Sequence, residues 1–298
     1  MFSYDGRCKF TVVTVAAAAT IGPGTDAVYG QTDATAEVAR VGDVVVTHLG
    51  GRGQGALVAY AVSDGSERWR WSDDGPGYAS PIVIEVEGNP QLITQTKHYC
   101  LAVDPVTGEE LWRRRTIPGP GEPGDETWGD VPFEDRKHVG AWMVPSYDPE
   151  LNLIYIGTSV TSPAPKFLLG GSENKHLYHN STLALDADTG EIEWYYQHLN
   201  DHWDLDHPFE RLLVDTAVTP NPAEVSWINP RITPGEQRKV ITGIPGKTGV
   251  VYTLDRETGE FLWATPTITQ NVISDIDGAT GAVTENSELV FSSLGQEV

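Results

Sequence analysis

One pattern recurs along this chain and constrains its fold more than any other feature. An alternating apolar stretch leads into a polar, mostly acidic turn with a glycine, and a tryptophan follows four residues after that glycine. The four copies run from Leu57 to Trp69, Leu101 to Trp112, Leu183 to Trp194 and Val251 to Trp263. Alternation predicts a strand, and a turn glycine provides the positive φ of a short hairpin loop. Each copy therefore predicts two antiparallel strands joined by a tight turn.

The spacing of the copies indicates how these hairpins assemble. Trp69 and Trp112 are 43 residues apart, close to the roughly 40–50 residues of one four-stranded propeller blade. A shortened fifth copy spans Asp275 to Glu285. Each tryptophan is expected to supply a large apolar surface to the next unit. The repeats therefore predict an all-β protein, a β-propeller of four-stranded antiparallel blades that holds its ligands near the central axis.

Composition and charge limit the partners that the chain can have. The 298 residues include 31 Gly and 20 Pro, and the formal net charge is −22. So acidic a balance argues against binding to nucleic acid or to an anionic membrane surface. Residues 1–26 resemble a secretory signal with a cleavage site at Ala16 to Ala18, although a first propeller strand would look similar. We expect a periplasmic or extracellular protein, one propeller domain over residues 27–298 and no transmembrane segment.

Two segments of the chain resemble a known family. GAWMVPSYDPELNLIYIGT begins at Gly140, and ALDADTGEIEWYYQHLNDHWDLDHP begins at Ala184. Both resemble the quinoprotein alcohol dehydrogenases, which bind pyrroloquinoline quinone (PQQ) in an eight-bladed propeller. The resemblance is specific over residues 116–298, whereas residues 27–115 resemble generic PQQ-like propeller repeats. It implies a quinoprotein-type propeller, of which this chain forms about half.

The resemblance implies roles for three residues. Trp142 matches the tryptophan on which PQQ stacks, and an aromatic plate suits a flat conjugated cofactor. Asp204 matches the base that takes the hydroxyl proton of the alcohol while hydride passes to the quinone. Lys247 matches a cation that stabilises the negative charge formed on reduction. The plainer alternatives are a core tryptophan, a turn-capping acid and a solvated turn lysine.

The family also binds a metal ion beside PQQ, and here the sequence departs from the family pattern. The asparagine that ligates the metal is replaced by Ser162 in one alignment and by Val160 in an alignment without a gap. A hydroxyl is a poorer ligand for a hard cation than an amide carbonyl. The alternatives are Asn174, Asn180 and a backbone carbonyl. Together with Ser162, the resemblance implies Asp204 and Asp206 as ligands of Ca²⁺ or a lanthanide.

Three histidines, His198, His202 and His207, surround the same acids. Their spacing would suit a metal site on a helix, but the segment lies between strands and lacks a helical period. We expect His202 to pack or to form hydrogen bonds rather than to ligate a metal.

Further departures leave two functions open. No adjacent Cys-Cys pair is present to cover the cofactor, and Arg52 stands near the place of an early metal-binding glutamate.

The first hypothesis is a dehydrogenase of an alcohol or polyol, or part of one. Since no CxxCH haem motif is present, its electrons would pass to a separate acceptor such as a cytochrome or a quinone. The second is a non-catalytic propeller scaffold for protein binding, similar to outer-membrane assembly lipoproteins. Convergence of Trp142, Asp204 and Lys247 on the propeller axis would favour the dehydrogenase. The open blade edges of a half-propeller predict self-association.

Overall fold

The computed structural model describes residues 38–51, 54–137 and 139–297, so Arg52 and the expected signal at residues 1–26 lie outside the described residues. The strands are β1 (Val38–Val41), β2 (Val44–Gly51), β3 (Gln54–Ala61), β4 (Glu67–Trp71), β5 (Ile82–Val86), β6 (Asn89–Gln95), β7 (Tyr99–Val103), β8 (Glu110–Arg115), β9 (Ser146–Asp148), β10 (Leu153–Gly157), β11 (Ser181–Asp186), β12 (Ile192–Gln197), β13 (Leu212–Val218), β14 (Trp227–Ile228), β15 (Glu236–Gly243), β16 (Val250–Asp255), β17 (Phe261–Pro266), β18 (Ile273–Ile276) and β19 (Val283–Glu285). Short 3-10 helices span Asp125–Trp128, Phe133–Asp135, Lys166–Leu168 and Ser287–Leu289. In this described part, no helix is long and apolar enough to cross a membrane.

The strands form four antiparallel sheets, here called blades 1 to 4, and one further hairpin. Blade 1 contains β1–β4, blade 2 contains β5–β8 and blade 3 contains β9–β12, each in sequential order. Blade 4 has the order β13-β15-β16-β17-β14, and β18 pairs with β19 in the hairpin. The prediction of an all-β partial propeller with four-stranded antiparallel blades is confirmed, and blade 4 has one short strand more than predicted.

Four of the five repeat turns are built by an aspartate, a threonine and a glycine. In blade 3, Asp186 Oδ1 accepts hydrogen bonds from the backbone N–H groups of Asp188 (3.0 Å) and Thr189 (2.8 Å) and from the Thr189 hydroxyl (2.9 Å). Gly190 follows with a φ of +70°, a conformation that costs glycine little. The same cap is formed in other copies by Asp104, Asp255 and Asp277. Local side-chain chemistry thus sets these four hairpin turns.

The tryptophan of one blade packs on the turn glycine of the next. A Cβ built on Gly190 would lie 2.3 Å from Cε3 of Trp112, and Trp112 Nε1 donates a hydrogen bond to Ala187 O at 2.9 Å. The same contact joins Trp69 to Gly108 and Trp194 to Gly259. Because only glycine leaves room for the indole, one residue both makes the turn and joins the blades. The predicted contact between consecutive units is present for these three tryptophans.

Trp263, the fourth repeat tryptophan, departs from this pattern. Its strand β17 pairs with the added strand β14, in which Ile228 lies opposite Trp263. Gly278 of the β18–β19 hairpin packs against Ile228 O, where a Cβ would be only 2.2 Å away. Gly281, the turn glycine of the fifth copy, contacts Phe261 instead of Trp263. The expectation that every tryptophan docks on the next unit is wrong here, because β14 is an added strand of blade 4 that pairs alongside Trp263 and contacts the hairpin.

Two long connections cross one end of blades 2 and 3. Residues 116–145 join β8 to β9, and residues 198–211 join β12 to β13. The first is anchored by Trp128, a fully buried residue whose Nε1 donates a hydrogen bond to Leu177 O. Apolar clusters between neighbouring blades hold the strands beneath them. The connections are therefore irregular in structure but are fixed on a rigid base of sheets.

Candidate active site

One cleft collects most of the site residues predicted from the sequence. It has a volume of about 930 Å³ and is lined by Trp142, Ser162, Asp204 and Asp206. Trp142 lies just before β9, Ser162 follows β10, and the two acids follow β12. Residues from three separate segments of the chain thus reach the same space, on the side of the molecule where blade 2 supplies the opposite wall.

Lys247 joins the cleft from the loop between β15 and β16. Its Nζ donates to Asp206 Oδ2 at 2.6 Å, to Asp204 O at 3.1 Å and to Asp204 Oδ1 at 3.4 Å. Its backbone N–H donates to Leu205 O at 3.1 Å. Burial acts to lower the pKa of Lys247, but the hydrogen bond from its ammonium to Asp206 and the charges of both acids raise that pKa above its ordinary value. Lys247 is thus bonded to the two acids of the cleft that Trp142 also lines.

The two acids of the cleft differ in their surroundings. The Asp204 side chain is 65% exposed, whereas that of Asp206 is 10% exposed. Asp206 Oδ1 also accepts a hydrogen bond from the backbone N–H of Val160 at 3.1 Å. Val160, the residue that a gap-free alignment puts in the place of the metal-binding asparagine, thus contributes its backbone. Asp204 is open to a substrate, while Asp206 ties together the segments that carry Val160 and Lys247.

Aromatic rings provide an apolar part of the cleft. The half-buried indole of Trp142 lines the cleft and makes no ring contact or hydrogen bond with any other described residue. Tyr78 lines the same cleft, is 43% exposed and has a φ of +70°. A tyrosine in the left-handed region is uncommon and is often held there at functional sites. Tyr78 could not be predicted from the sequence, because nothing in the residue types around it requires a positive φ.

Basic side chains form the other wall, although the chain as a whole has a charge of −22. They are Lys97, His98, Arg115, Arg136 and Lys137. Arg115 Nη2 donates to Tyr99 OH at 2.7 Å, and its guanidinium lies 4.8 Å from the centroid of that ring. A fixed guanidinium favours carboxylates. The aromatic plate and the basic wall therefore fit PQQ, which is planar and carries three carboxylates. This wall could not be predicted from the sequence, because segments that are distant along the chain supply it.

The cleft offers few side-chain donors for a metal ion beyond the implied Ser162, Asp204 and Asp206. In the described ranges, no group of three or more His, Cys, Asp or Glu side chains is placed to hold an ion. Asp206 already accepts two hydrogen bonds, and Lys247 brings a positive charge between the acids. Neither Asn174 nor Asn180 lines the cleft. Ser162 and the two acids do not by themselves make a site for Ca²⁺, which takes about six to eight oxygen ligands.

The three histidines near the acids are buried in packing contacts. His198 Nε2 lies 2.7 Å from Thr182 Oγ1, and the His198 and His207 rings stack with centroids 5.5 Å apart. The His202 ring packs edge-on against Trp203 at 5.7 Å. Burial lowers the pKa of His202 to about 4 and that of His207 to about 3. These imidazoles are therefore neutral near pH 7.

Comparison with known proteins places this geometry in context. The family model described as PQQ glucose/ethanol/alcohol dehydrogenase, β-propeller domain, matches residues 82–273. Quinohemoprotein alcohol dehydrogenase ADH-IIG of Pseudomonas putida is 33% identical over 207 residues, which cover 66% of this chain and 27% of that protein. The quinohemoprotein alcohol dehydrogenase of Comamonas testosteroni is 28% identical over 251 residues, which cover 76% of this chain and 33% of that protein.

Solved structures give the same result. The structure of ADHIIG from Pseudomonas putida HK5 superposes with a TM-score of 0.68 at 29% identity, over 84% of this chain and 37% of that one. The Comamonas testosteroni enzyme superposes with a TM-score of 0.67 at 26% identity, over 84% and 38%. The chain thus spans about a third of the length of these relatives. Because the family model matches well over half of its residues, this chain belongs to the PQQ-dependent glucose/ethanol/alcohol dehydrogenase β-propeller family.

Proposed function

We propose that this chain forms part of the active site of a PQQ-dependent dehydrogenase that oxidises an alcohol or a polyol. The observation that carries the proposal is the shared cleft of Trp142, Asp204 and Asp206, with Lys247 bonded to both acids. Membership of the family supports catalysis over the alternative, a non-catalytic scaffold for protein binding. A scaffold also gives no physical reason for an exposed acid, an open indole and a lysine to meet.

Each of these residues has a separate task in the proposed reaction. PQQ, when bound, supplies the acceptor for hydride from the alcohol carbon. Trp142 binds the flat ring system by offset stacking, which adds about 0.5–1.5 kcal/mol beyond area burial. Asp204 is exposed to the cleft and accepts the hydroxyl proton of the substrate. Lys247 places its positive charge where negative charge develops during the reaction.

A metal ion is the part of the proposal that the protein's own side chains support least. Asp204, Asp206 and Ser162 face the cleft and are the residues available to Ca²⁺ or a lanthanide. Lys247 already neutralises part of the charge of the two acids. No step of the proposed reaction therefore requires a metal ion. The dependence of PQQ binding on a metal ion can be measured directly.

The remaining components are proposed from the sequence. The electrons taken from the substrate are proposed to pass on to an acceptor such as a cytochrome or a quinone. The signal-like residues 1–26 support a periplasmic or extracellular location. The edges of the blades offer unpaired backbone groups, which favours self-association.

The proposal is tested by titrating the purified protein with PQQ alone, with PQQ and Ca²⁺, and with PQQ and a light lanthanide. Tryptophan fluorescence and cofactor absorbance report binding. We expect saturable binding that Trp142→Ala weakens about tenfold, since both stacking and buried area are lost. Trp227→Ala is the matched control, because Trp227 is also half-buried but lies on β14 away from the cleft. Absence of binding under all three conditions would leave the scaffold function.

A further inference from the structure

A buried carboxylate lies directly beneath the segment that carries Asp204. Asp201 has no exposed surface, and its oxygens accept three hydrogen bonds. Oδ1 accepts from the backbone N–H of Trp203, and Oδ2 accepts from the backbone N–H of Leu205 and from Asn180 Nδ2, each at 2.7 Å. Trp203 and Leu205 are the two neighbours of Asp204 in the chain. One carboxylate thus holds the peptide groups on both sides of the proposed base.

Asp201 is itself fixed by residues that belong to other strands and loops. Its backbone N–H donates to His179 Nε2 at 2.9 Å, which requires that ring nitrogen to be an acceptor. The proton of His179 is then on Nδ1, which lies 2.8 Å from His176 O and donates to it. Asn180, the third donor to Asp201, is fully buried, and its backbone N–H donates to Ser159 O, in the wall of the cleft. The position of the Asp201 carboxylate is therefore set by hydrogen bonds to His179 and Asn180.

The three donors explain why the residue is an acid rather than another polar residue. A carboxylate offers only acceptors, and here three N–H groups point at its two oxygens. An asparagine would turn its NH₂ group toward at least one of these donors and leave that N–H buried and unpaired, which is costly. Burial raises the pKa of Asp201 to about 6, so the ionised carboxylate bears a desolvation cost. The ionised form is the one that can accept all three hydrogen bonds.

Lys247 also contacts Asp204, with its Nζ 3.1 Å from Asp204 O and 3.4 Å from Asp204 Oδ1. The Asp204 side chain is nevertheless 65% exposed, and residues 198–211 contain no helix or strand. We propose that Asp201 is a positioning residue that fixes Asp204 in its reactive orientation through the N–H groups of Trp203 and Leu205. This inference rests on the proposed function, because Asp204 is the base only in that function. The hydrogen bonds from the Trp203 and Leu205 N–H groups to Asp201 do not depend on the proposed function.

The hydrogen bonds that Asp201 accepts from Trp203 and Leu205 are tested first, in an experiment that needs neither cofactor nor turnover. In the unmodified protein, amide hydrogen exchange resolved to single residues should show the Trp203 and Leu205 N–H groups protected, by about tenfold or more over their intrinsic rates. Asp201→Asn should remove most of this protection. Asn180→Ala, which leaves the carboxylate in place, should weaken it less. Asp277→Asn is the matched control, because Asp277 also caps two backbone N–H groups but lies in the β18–β19 hairpin. It should leave Trp203 and Leu205 protected.

The consequence for function is tested by separating binding from turnover. Asp201→Asn should lower kcat by roughly a hundredfold, since small displacements of a reacting group cost about that much. Its Kd for PQQ should stay within about threefold of wild type, because Trp142 and the basic wall are unchanged. Asp277→Asn should change neither value. Unprotected amides in the wild type, or an Asp201→Asn variant with faster exchange and unchanged kcat, would overturn the inference. If the wild type neither binds PQQ nor turns over an alcohol, the proposed function fails, whereas the exchange results still decide whether Asp201 holds the segment.

Discussion

Lys247 Nζ lies 2.6 Å from Asp206 Oδ2, and the same ammonium group lies 3.4 Å from Asp204 Oδ1. A single positive charge therefore joins the two acids of the cleft. The contact with Asp204 is largely exposed and contributes little to stability, whereas Asp206 is mostly buried and depends on its partners. The ammonium group of Lys247 therefore occupies the position in which a metal ion would bridge the two carboxylates. Whether Lys247 competes with a metal ion for these carboxylates can be measured.

Lys247→Met should make the cleft a better metal site. Removal of a positive charge within hydrogen-bonding distance of both acids should tighten the binding of Tb³⁺ by about tenfold, or about 1.4 kcal/mol. Tryptophan-sensitised terbium luminescence measures the affinity. Lys239→Met is the matched control, because Lys239 also pairs with two acids, Glu150 and Asp215, but lies outside the cleft. Equal affinities in the wild type and in Lys247→Met would show that Lys247 does not oppose metal binding.

Gly190→Ala tests the contact that joins blade 2 to blade 3. A Cβ at Gly190 would collide with the Trp112 indole at 2.3 Å, and φ is +70°. We expect the free energy of unfolding to fall by about 3 kcal/mol, from overpacking and backbone strain together. Gly235→Ala separates the two effects, because its φ is +85° but nothing lies within 4 Å. It should cost only about 1 kcal/mol in urea denaturation. Similar losses in both variants would mean that the Trp112 contact contributes nothing.

The sequence was sufficient to predict the blades because their determinants are local. The cap at Asp186, the glycine at Gly190 and the tryptophan at Trp194 lie within nine residues of one another, so a repeat search detects them. The exception is Trp263, where the two-residue strand β14 changes what covers the indole. So short a strand leaves no periodic pattern, and its pairing with β17 depends on tertiary contacts.

The site was predictable only in part, for a related reason. Trp142, Asp204 and Lys247 could be named because each lies in a contiguous motif that resembles the family. Asp201 lies in such a motif too, but its role depends on where two backbone N–H groups and Asn180 point. The basic wall is assembled from separate segments and has no sequence spacing to detect. The residue types were therefore enough to predict the chemistry of the site. The directions of its hydrogen bonds could be known only from the folded structure.

Tyr78→Gly should increase stability and weaken cofactor binding at the same time. At φ +70° a glycine avoids the steric cost that a tyrosine bears, so the free energy of unfolding should rise by up to about 1 kcal/mol. Loss of an aromatic ring from the cleft should weaken PQQ binding about threefold to tenfold. Thermal denaturation and fluorescence titration measure the two effects.

The control for Tyr78→Gly is Glu87→Gly, in the turn between β5 and β6. Glu87 also has a positive φ, +50°, but it is exposed and does not line the cleft. This variant should likewise gain stability, yet bind PQQ as the wild type does. Unchanged affinity in Tyr78→Gly would show that the tyrosine does not contact the cofactor.

Asp74 should contribute a pH-dependent part of the stability of the blade 2 wall. Burial acts to raise its pKa, but hydrogen bonds from His98, Thr96 and Gly75 outweigh burial and lower the pKa of Asp74 to about 2. A folded-state pKa below the unfolded value of 3.8 means that the stabilisation is present above about pH 4 and is lost as the pH falls toward 2. Asp74→Asn should therefore be less stable than the wild type by roughly 1–2 kcal/mol at pH 6, and the difference should shrink steadily between pH 4 and pH 2. Urea denaturation of both proteins at intervals over this range measures it. A difference that stays constant with pH would assign the loss to altered packing rather than to the ionised carboxylate that holds His98 at the edge of the cleft.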